Sequence, residues 1–439
     1  MAQELLQTWL VPATSGEEPP LDRIVAAGFK EHKEFNSGER RWINSAVYGT
    51  VRLLDRQRFL LGRTGKEETT ENLITLWQDE HTVTRPNWAD SLRDAIDALP
   101  SAEDPHGYLR VTLSIPDNIA TSIEAQLGDE SLEAGAAFNE QAPTVLRVNT
   151  LRTRKSRITD KVADTQETRY SPLGLVLPQR VALPTLHGFK EGWFELQEEA
   201  SQLATLLTDA QPGSTVVDVG AGGGGKSLAL AAMMKNQGQI TAIDPSEWRL
   251  TELKQRAARA HAFNISTFCP ELDENGLWID DASGTLKALE NQADCVLLDA
   301  PCSGSGTMRR SPDIRWRYHS TVAFAALQLS LVRQSARFVK PGGALVYVTC
   351  ALERDQNEDV IEKFLACAEG ADFSIEPGKA ALESGMQRAA VYCMGIDAGA
   401  RWLPADTDTL FNGPFLRTWP HKHGMDAFFA ARLVRSVAR

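Results

Sequence analysis

The sequence predicts an α/β fold: a doubly wound, mostly parallel, Rossmann-like sheet, preceded by an all-α domain and a small α+β linking domain. Three observations predict it. From about residue 205 onward, short apolar runs alternate with helical stretches: TVVDVG precedes an Ala/Leu-rich helix, ITAID precedes EWRLTELKQRAARA, ADCVLLDAP precedes a loop and helix, and GGALVYVTC precedes a polar helix. Near-continuous apolar strands separated by helices are buried on both faces, as in a parallel sheet. A glycine-rich turn, AGGGGKS, stands at the first strand–helix junction, where such sheets bind ligands. Ahead of this, the first 135 or so residues lack β-branched runs and carry apolar residues at helical spacing.

Taken in order, residues 39–60 read as one amphipathic helix, with Trp42, Ile43, Ala46, Val47, Val51 and Leu54 on one stripe. TRPNWAD, LPSAEDPHG and SIPDN punctuate the helices that follow. Residues 1–135 therefore form the helical domain. From residue 144 the texture changes: TVLRVNTL alternates as a strand, the basic RTRKSR follows, then GLVLP and GWFELQ. These place the linking domain at 136–204 and the sheet domain at 205–439.

No apolar stretch approaches the roughly 20 residues of a membrane span, and MAQELLQTWLVPATSGEEPP lacks a basic segment followed by an apolar one. A cytoplasmic monomer is expected. The six cysteines have no CxxC spacing, and His421 and His423 have no cysteine cluster beside them, so reduced thiols and no metal are expected. The net charge of −12 is unevenly spread: residues 1–140 hold 13 Lys and Arg against 24 Asp and Glu. Residues 141–161, by contrast, carry six basic side chains against Asp160, and residues 301–340 carry seven against Asp313. Local field governs phosphate contact more than the total does. Both segments are candidate nucleic-acid surfaces, the second with Trp316 and Tyr318 interleaved among its arginines for base stacking.

The turn Gly220, Ala221, Gly222, Gly223, Gly224, Gly225, Lys226 lets the backbone approach a nucleotide-like ligand at a helix N-terminus. It also fits the phosphate-loop spacing Gly220-x4-Gly225-Lys226-Ser227. Against a triphosphate stand Asp244, one strand–helix unit on, where a carboxylate accepts both hydroxyls of a ribose, and four consecutive glycines suited to a zwitterionic amino acid and sulfonium. LLDAPCSGSG places Asp299 and Cys302 at one strand end, and YVTC places Cys350 at another, so both thiols face one cleft. A single cysteine reads best as a small buried hydrophobe. Two at strand ends beside a cofactor loop read as chemistry.

LRVNTLRT at 146–153, GWFELQEEASQL at 192–203, DVGAGGGGKS at 218–227, AIDPSEWRL at 242–250, LLDAPCSGSGTMRRSPDIRW at 297–316, YVTCALERDQNED at 347–359 and DAFFAARL at 426–433 resemble the Nop/Sun-type RNA (cytosine-5)-methyltransferase family. GERRWINSAVYGTVR at 38–52 is similar to the NusB-like domain of the bacterial small-subunit ribosomal RNA methyltransferase B group. The resemblance implies a class I methyltransferase domain that uses S-adenosylmethionine to methylate carbon 5 of a cytosine in RNA, most of all ribosomal RNA. Transfer RNA, or a non-catalytic assembly factor on the same fold, is the alternative. It further implies Cys350 as nucleophile, Cys302 in product release and Asp299 on the target base. Residues Gly220 to Lys226, Asp244, Arg249 and Asp299 would line the cofactor site. From the two basic segments, rather than from the resemblance, Arg147, Arg154, Lys155, Arg309, Arg310 and Arg315 are expected to bind RNA. A DNA-type enzyme would use the Pro-Cys cysteine as nucleophile and need no Thr-Cys. Two positions depart from the family pattern: Gly223, where proline is usual, and Ala427, where glycine is usual. A further cofactor carboxylate on the third strand is open among Glu271, Asp273 and Asp280.

Overall fold

The computed structural model describes residues 1–10, 20–81, 89–177, 181–274, 276–279, 283–317, 321–397 and 399–437. Part of TRPNWAD, and the candidates Tyr318 and Asp280, lie outside the described residues. The chain forms two compact units, residues 1–141 with 307–318, and residues 142–306 with 319–439.

The first unit is helical. The stripe expected over 39–60 is two helices, Ser37–Arg52 and Leu54–Thr64, interrupted at Leu53. Asn36 caps the first through a reciprocal capping box with Glu39. Ile43, Ala46, Val47, Val51 and Leu54 are buried as expected, whereas Trp42 is 43% exposed and meets Trp77 edge-on. Residues 307–317 pack inside this unit. The Arg315 guanidinium donates to the carbonyls of Arg52, Leu113, Ser114 and Phe138, Trp316 Nε1 donates to Val51 O, and Asp313 accepts from Leu21 N.

The second unit holds two sheets. Strands β1 (Thr144–Val148), β2 (Gln166–Glu167), β3 (Gly174–Leu177) and β4 (Phe194–Leu196) form an antiparallel sheet in the order β2-β3-β1-β4. Then come β5 (Thr215–Val219), β6 (Gln239–Ile243), β7 (Ile265–Phe268), β8 (Ala293–Asp299) and β9 (Val339–Thr349), which pair in parallel as β9-β8-β5-β6-β7. An antiparallel edge of β10 (Phe373–Glu376), β11 (Phe411–Asn412), β12 (Phe415–Arg417) and β13 (Phe429–Arg435) joins through β13 to β9. The order reverses between β5 and β8. That reversal opens a crevice at their carboxyl ends.

The linking sheet has no separate core. Leu146, Val148 and Phe194 share one buried cluster with Val216, Leu230, Leu250 and Val346. Four strands of two to five residues bury too little apolar area alone, which is why residues 142–204 join the large sheet in one unit. Among the described residues no helix is long and apolar enough to cross a membrane.

Candidate active site

Strand ends at the reversal set the candidate residues beside one another. β5 enters the glycine turn and then the helix Gly225–Met233. Gly220 has φ +74°, and a Cβ there would lie 2.3 Å from the Asp299 carbonyl oxygen at the end of β8. Only glycine permits that approach. Gly222 N donates to Asp244 Oδ2 and Ser246 N to Asp244 Oδ1, each at 2.9 Å. A carboxylate oxygen accepts more than one hydrogen bond, so Asp244, although 3% exposed, keeps acceptor capacity on both oxygens. The helix Gly225–Met233 has no side-chain cap, which leaves first-turn N–H groups for a ligand. The buried Asp218 Oδ1 has no hydrogen-bond partner. This donor and acceptor set fits a nucleoside cofactor with an amino-acid tail.

It does not fit a triphosphate. A phosphate loop needs its lysine on the phosphates and its serine on magnesium. Lys226 is instead buried, with Nζ donating to Asp299 Oδ2 at 2.6 Å, and Ser227 Oγ donates to Asp218 Oδ2 at 2.5 Å. Burial alone would depress the Lys226 ammonium, but the Asp299 carboxylate outweighs it and holds the ammonium above the ordinary lysine range.

Burial also raises the Asp218 carboxyl from its ordinary 3.8 to about 7. The folded chain thus keeps a proton that the unfolded chain releases. The associated stability is fully present below about pH 4 and is lost as pH rises through about 7. Asp218→Asn retains an acceptor for Ser227 without the charge. Relative to wild type it is expected to gain stability at pH 8 compared with pH 5, by up to about 3 kcal/mol. Urea unfolding of both proteins at the two pH values checks this, and an equal difference at both would refute it.

The two thiols meet. Cys302 follows β8, Cys350 follows β9, and their Sγ atoms lie 3.5 Å apart, both half-buried. Their shared hydrogen bond lowers Cys302 below the ordinary thiol range; the same bond, with burial, raises Cys350, while Lys226 opposes that rise. Among the other cysteines, burial pushes Cys295 up to about 12 and Cys393 up to about 11, which makes them inert.

A buried polar network that sequence reasoning missed joins the two cysteine loops. Glu353 Oε2 accepts from Ser303 Oγ at 2.9 Å, Ser305 Oγ at 2.7 Å and Gln356 Nε2 at 3.3 Å. Gln356 Oε1 accepts from Ser303 N, Gln328 Nε2 donates to Pro301 O, and Thr349 Oγ1 donates to Asn357 Oδ1. Gly306 closes the loop: its N donates to Cys350 O, its O accepts from Ala427 N, and a Cβ there would lie 2.2 Å from Ala427 O. The alternating Ser-Gly of PCSGSG was the available signal, since hydroxyls two apart beside a strand end are suited to binding a common acceptor.

Other predicted residues fall differently. Arg249 is exposed on the first turn of the helix Glu247–Ala260. Glu271 and Asp273 are exposed beyond β7, and Asp273 Oδ1 accepts from Leu277 N within its own turn. The residue directly after β7 is Cys269, so neither carboxylate stands at that strand end. Of the six arginines and lysines expected to bind RNA, four are buried: Arg147, Lys155, Arg309 and Arg315. Arg147 sits on β1 opposite Glu195, Lys155 pairs with Glu167 at 3.2 Å, and Arg315 is spent on backbone carbonyls. They offer no charge to a phosphate. Arg154 is exposed and Arg310 partly so.

Residues 204–434 match the family model described as 16S rRNA methyltransferase RsmB/F. The chain is 33% identical over 331 residues to the "Probable ribosomal RNA small subunit methyltransferase B" of Synechocystis sp., which covers 74% of this chain and 67% of that one. It is 29% identical over 344 residues to the Bacillus subtilis protein of the same description, covering 77% and 70%. A crystal structure of a methyltransferase homolog protein from Pyrococcus horikoshii superposes with a TM-score of 0.57 at 26% identity, covering 76% of this chain and 100% of that one. With the family match spanning more than half of its length and the paired strand-end thiols inside that match, this chain belongs to the 16S rRNA methyltransferase RsmB/F family.

Proposed function

We propose that the protein transfers a methyl group from S-adenosylmethionine to carbon 5 of a cytosine in 16S ribosomal RNA, through a covalent bond between Cys350 and the base. The observation that carries this reading is the 3.5 Å approach of Cys302 and Cys350 beside the Lys226–Asp299 pair. Residues Gly220 to Lys226 and Asp244 would hold the cofactor, which supplies an electrophilic methyl group on sulfur.

Carbon 5 of cytosine is a weak nucleophile until a thiolate adds to carbon 6. The Cys350 proton passes to the Cys302 thiolate, and Lys226 favours the Cys350 thiolate so formed. The Cys350 sulfur then bonds to carbon 6, and the ring π electrons shift to carbon 5. The Lys226 ammonium, held by Asp299 at 2.6 Å, steadies charge on the ring. Cys302 releases its proton to water while carbon 5 is methylated. It next takes the carbon 5 proton, the carbon 5–carbon 6 double bond re-forms, and the bond to Cys350 breaks. One proton leaves per turnover.

Carbon 6 is open to attack only in an unstacked base. Arg152, Arg154, Arg157 and Lys161 are exposed on the linking segment, with Arg157 4.3 Å over the Trp193 ring, and form the favoured RNA surface. The helical unit, through its NusB-like stretch, is the second. Reversing Arg154 and Arg157 to Glu is expected to weaken RNA binding, with the slope of log K against log salt falling by about 0.7 for each phosphate no longer neutralised. An unchanged slope places the RNA elsewhere.

The activity is tested by incubating the protein with S-adenosylmethionine and unmodified 16S ribosomal RNA, then sequencing after bisulfite treatment. One protected cytosine is expected. None on 16S RNA, with one on transfer RNA, would move the substrate and keep the chemistry.

A further inference from the structure

The turn Gly222–Gly225 is four glycines long, and glycine is the residue with the most backbone freedom to lose on ordering. Something must hold it. Gly222 N is tied to Asp244. The next peptide plane but one, between Gly223 and Gly224, is held from both of its polar ends. Gly224 N donates to Ala221 O at 2.9 Å, and Gly223 O accepts from Arg256 Nη1 at 2.7 Å. A peptide flanked by two glycines flips readily, since neither residue has a Cβ to resist the rotation. A flip here would carry the Gly223 carbonyl away from Arg256 and withdraw the Gly224 N–H from Ala221.

Arg256 is itself anchored. Its Nε and Nη2 both lie 3.1 Å from Glu195 Oε2, and Arg259 Nη2 lies 2.5 Å from Glu195 Oε1. Glu195 is 3% exposed and belongs to β4 of the linking sheet, opposite Arg147 on β1. A planar guanidinium held on one edge by a carboxylate presents its remaining N–H in a fixed direction. The more distant Glu252 Oε1, 3.8 Å from Nη1, adds little to that fixation.

We propose that Arg256 is a positioning residue for the cofactor. Anchored by Glu195, it locks the Gly223–Gly224 peptide in the orientation that binds S-adenosylmethionine and so sets the affinity for it. This rests on the reading that the glycine turn holds that cofactor. It also makes the linking sheet, through Glu195, part of the cofactor site without touching the cofactor.

Calorimetric titration of S-adenosylmethionine into the full chain tests it, with thermal unfolding recorded on every variant. Arg256→Ala is expected to weaken binding about tenfold. Glu195→Gln, which keeps the shape and loses the charge, is expected to weaken it about threefold. The discriminating variant restores order by a different route. A Cβ on Gly223 would lie 3.1 Å from Arg256 Nη1 and from Glu252, so Arg256→Ala makes room for one. Gly223 lies outside the left-handed region, and alanine there narrows the backbone choices of the loose turn. Gly223→Ala added to Arg256→Ala is therefore expected to recover about two- to fivefold in affinity. A merely structural arginine would lower the unfolding temperature with unchanged affinity, or give a double variant no tighter than the single one, and either result overturns the proposal. Should Arg256→Ala not fold, an unchanged affinity in Glu195→Gln overturns it as well. Wild type that does not bind S-adenosylmethionine instead sinks the cofactor reading on which the proposal stands.

Discussion

Cys350→Ala is expected to abolish methyl transfer, by about three orders of magnitude or more, and to leave no RNA attached to the protein. Without the sulfur at the end of β9, carbon 6 is never attacked and carbon 5 stays inert. Cys302→Ala should behave differently, because the Cys350 sulfur remains while the base that removes the carbon 5 proton is gone. Attack and methylation proceed slowly, elimination stalls, and a protein–RNA adduct accumulates. That adduct survives denaturing electrophoresis in the presence of reductant, since a thioether is not a disulfide. It should vanish in the Cys302→Ala, Cys350→Ala double variant. If Cys350→Ala trapped RNA and Cys302→Ala did not, the nucleophile would be Cys302, and the assignment of the two sulfurs would be reversed.

The distinction is demanding because the sulfurs are only 3.5 Å apart and share one hydrogen bond. In the resting site that bond favours the thiolate on Cys302. On the proposed mechanism, Cys350 would gain its nucleophilic form by passing its proton to that neighbour. The network around Glu353 is what keeps the two loops in register: one carboxylate oxygen gathers Ser303 from one loop and Gln356 from the other.

Much of this site was legible in the sequence because strands buried on both faces announce themselves as apolar runs, and their ends follow directly. Val219 to Gly220, Asp299 to Cys302 and Thr349 to Cys350 are all such ends. The antiparallel edge was less legible, since β11 and β12 have only two and three residues, too few for an alternating pattern. Arginines were misread for a different reason. A sequence displays formal charge, but whether a guanidinium reaches phosphate depends on what already occupies its donors. Arg315 finds four carbonyls from chain positions far apart, whereas Arg147 is kept from phosphate by burial itself, opposite Glu195 on the next strand and with Nε and Nη1 making no hydrogen bond among the described residues. Neither setting has a local signature. The break at Leu53 was hidden too, because Leu54 continues the apolar stripe across it.

Arg315→Ala is expected to cost the helical unit about 3–5 kcal/mol. The Arg315 side chain is 4% exposed and forms no ion pair with a carboxylate among the described residues. Its Nη1 lies 3.1 Å from the carbonyls of Arg52, Leu113 and Ser114, and its Nη2 lies 2.9 Å from Phe138 O. Arg52 ends one helix and Phe138 caps another, so two of these acceptors are last-turn carbonyls that the helices cannot satisfy themselves. The partial negative charge at those ends stabilises the buried cation, although burial, and to a lesser extent the like charge of Arg52, still hold its pKa well below the ordinary arginine value. Removing the side chain strips four carbonyls of a donor at once and leaves a cavity. Water recovers part of that loss, which is why the total stays below four separate unsatisfied groups. Arg315→Lys should recover little, because one ammonium cannot span acceptors that a planar fork reaches together. Arg317 provides the contrast within the same turn. It is partly exposed and makes a single ion pair among the described residues, with the buried Asp313 at 3.1 Å, and Arg317→Ala, which leaves that carboxylate without its cation, should cost about 1–3 kcal/mol. Denaturant unfolding of the three variants decides the matter, and an Arg315→Ala loss no larger than that of Arg317→Ala would return Arg315 to the residues free to serve RNA.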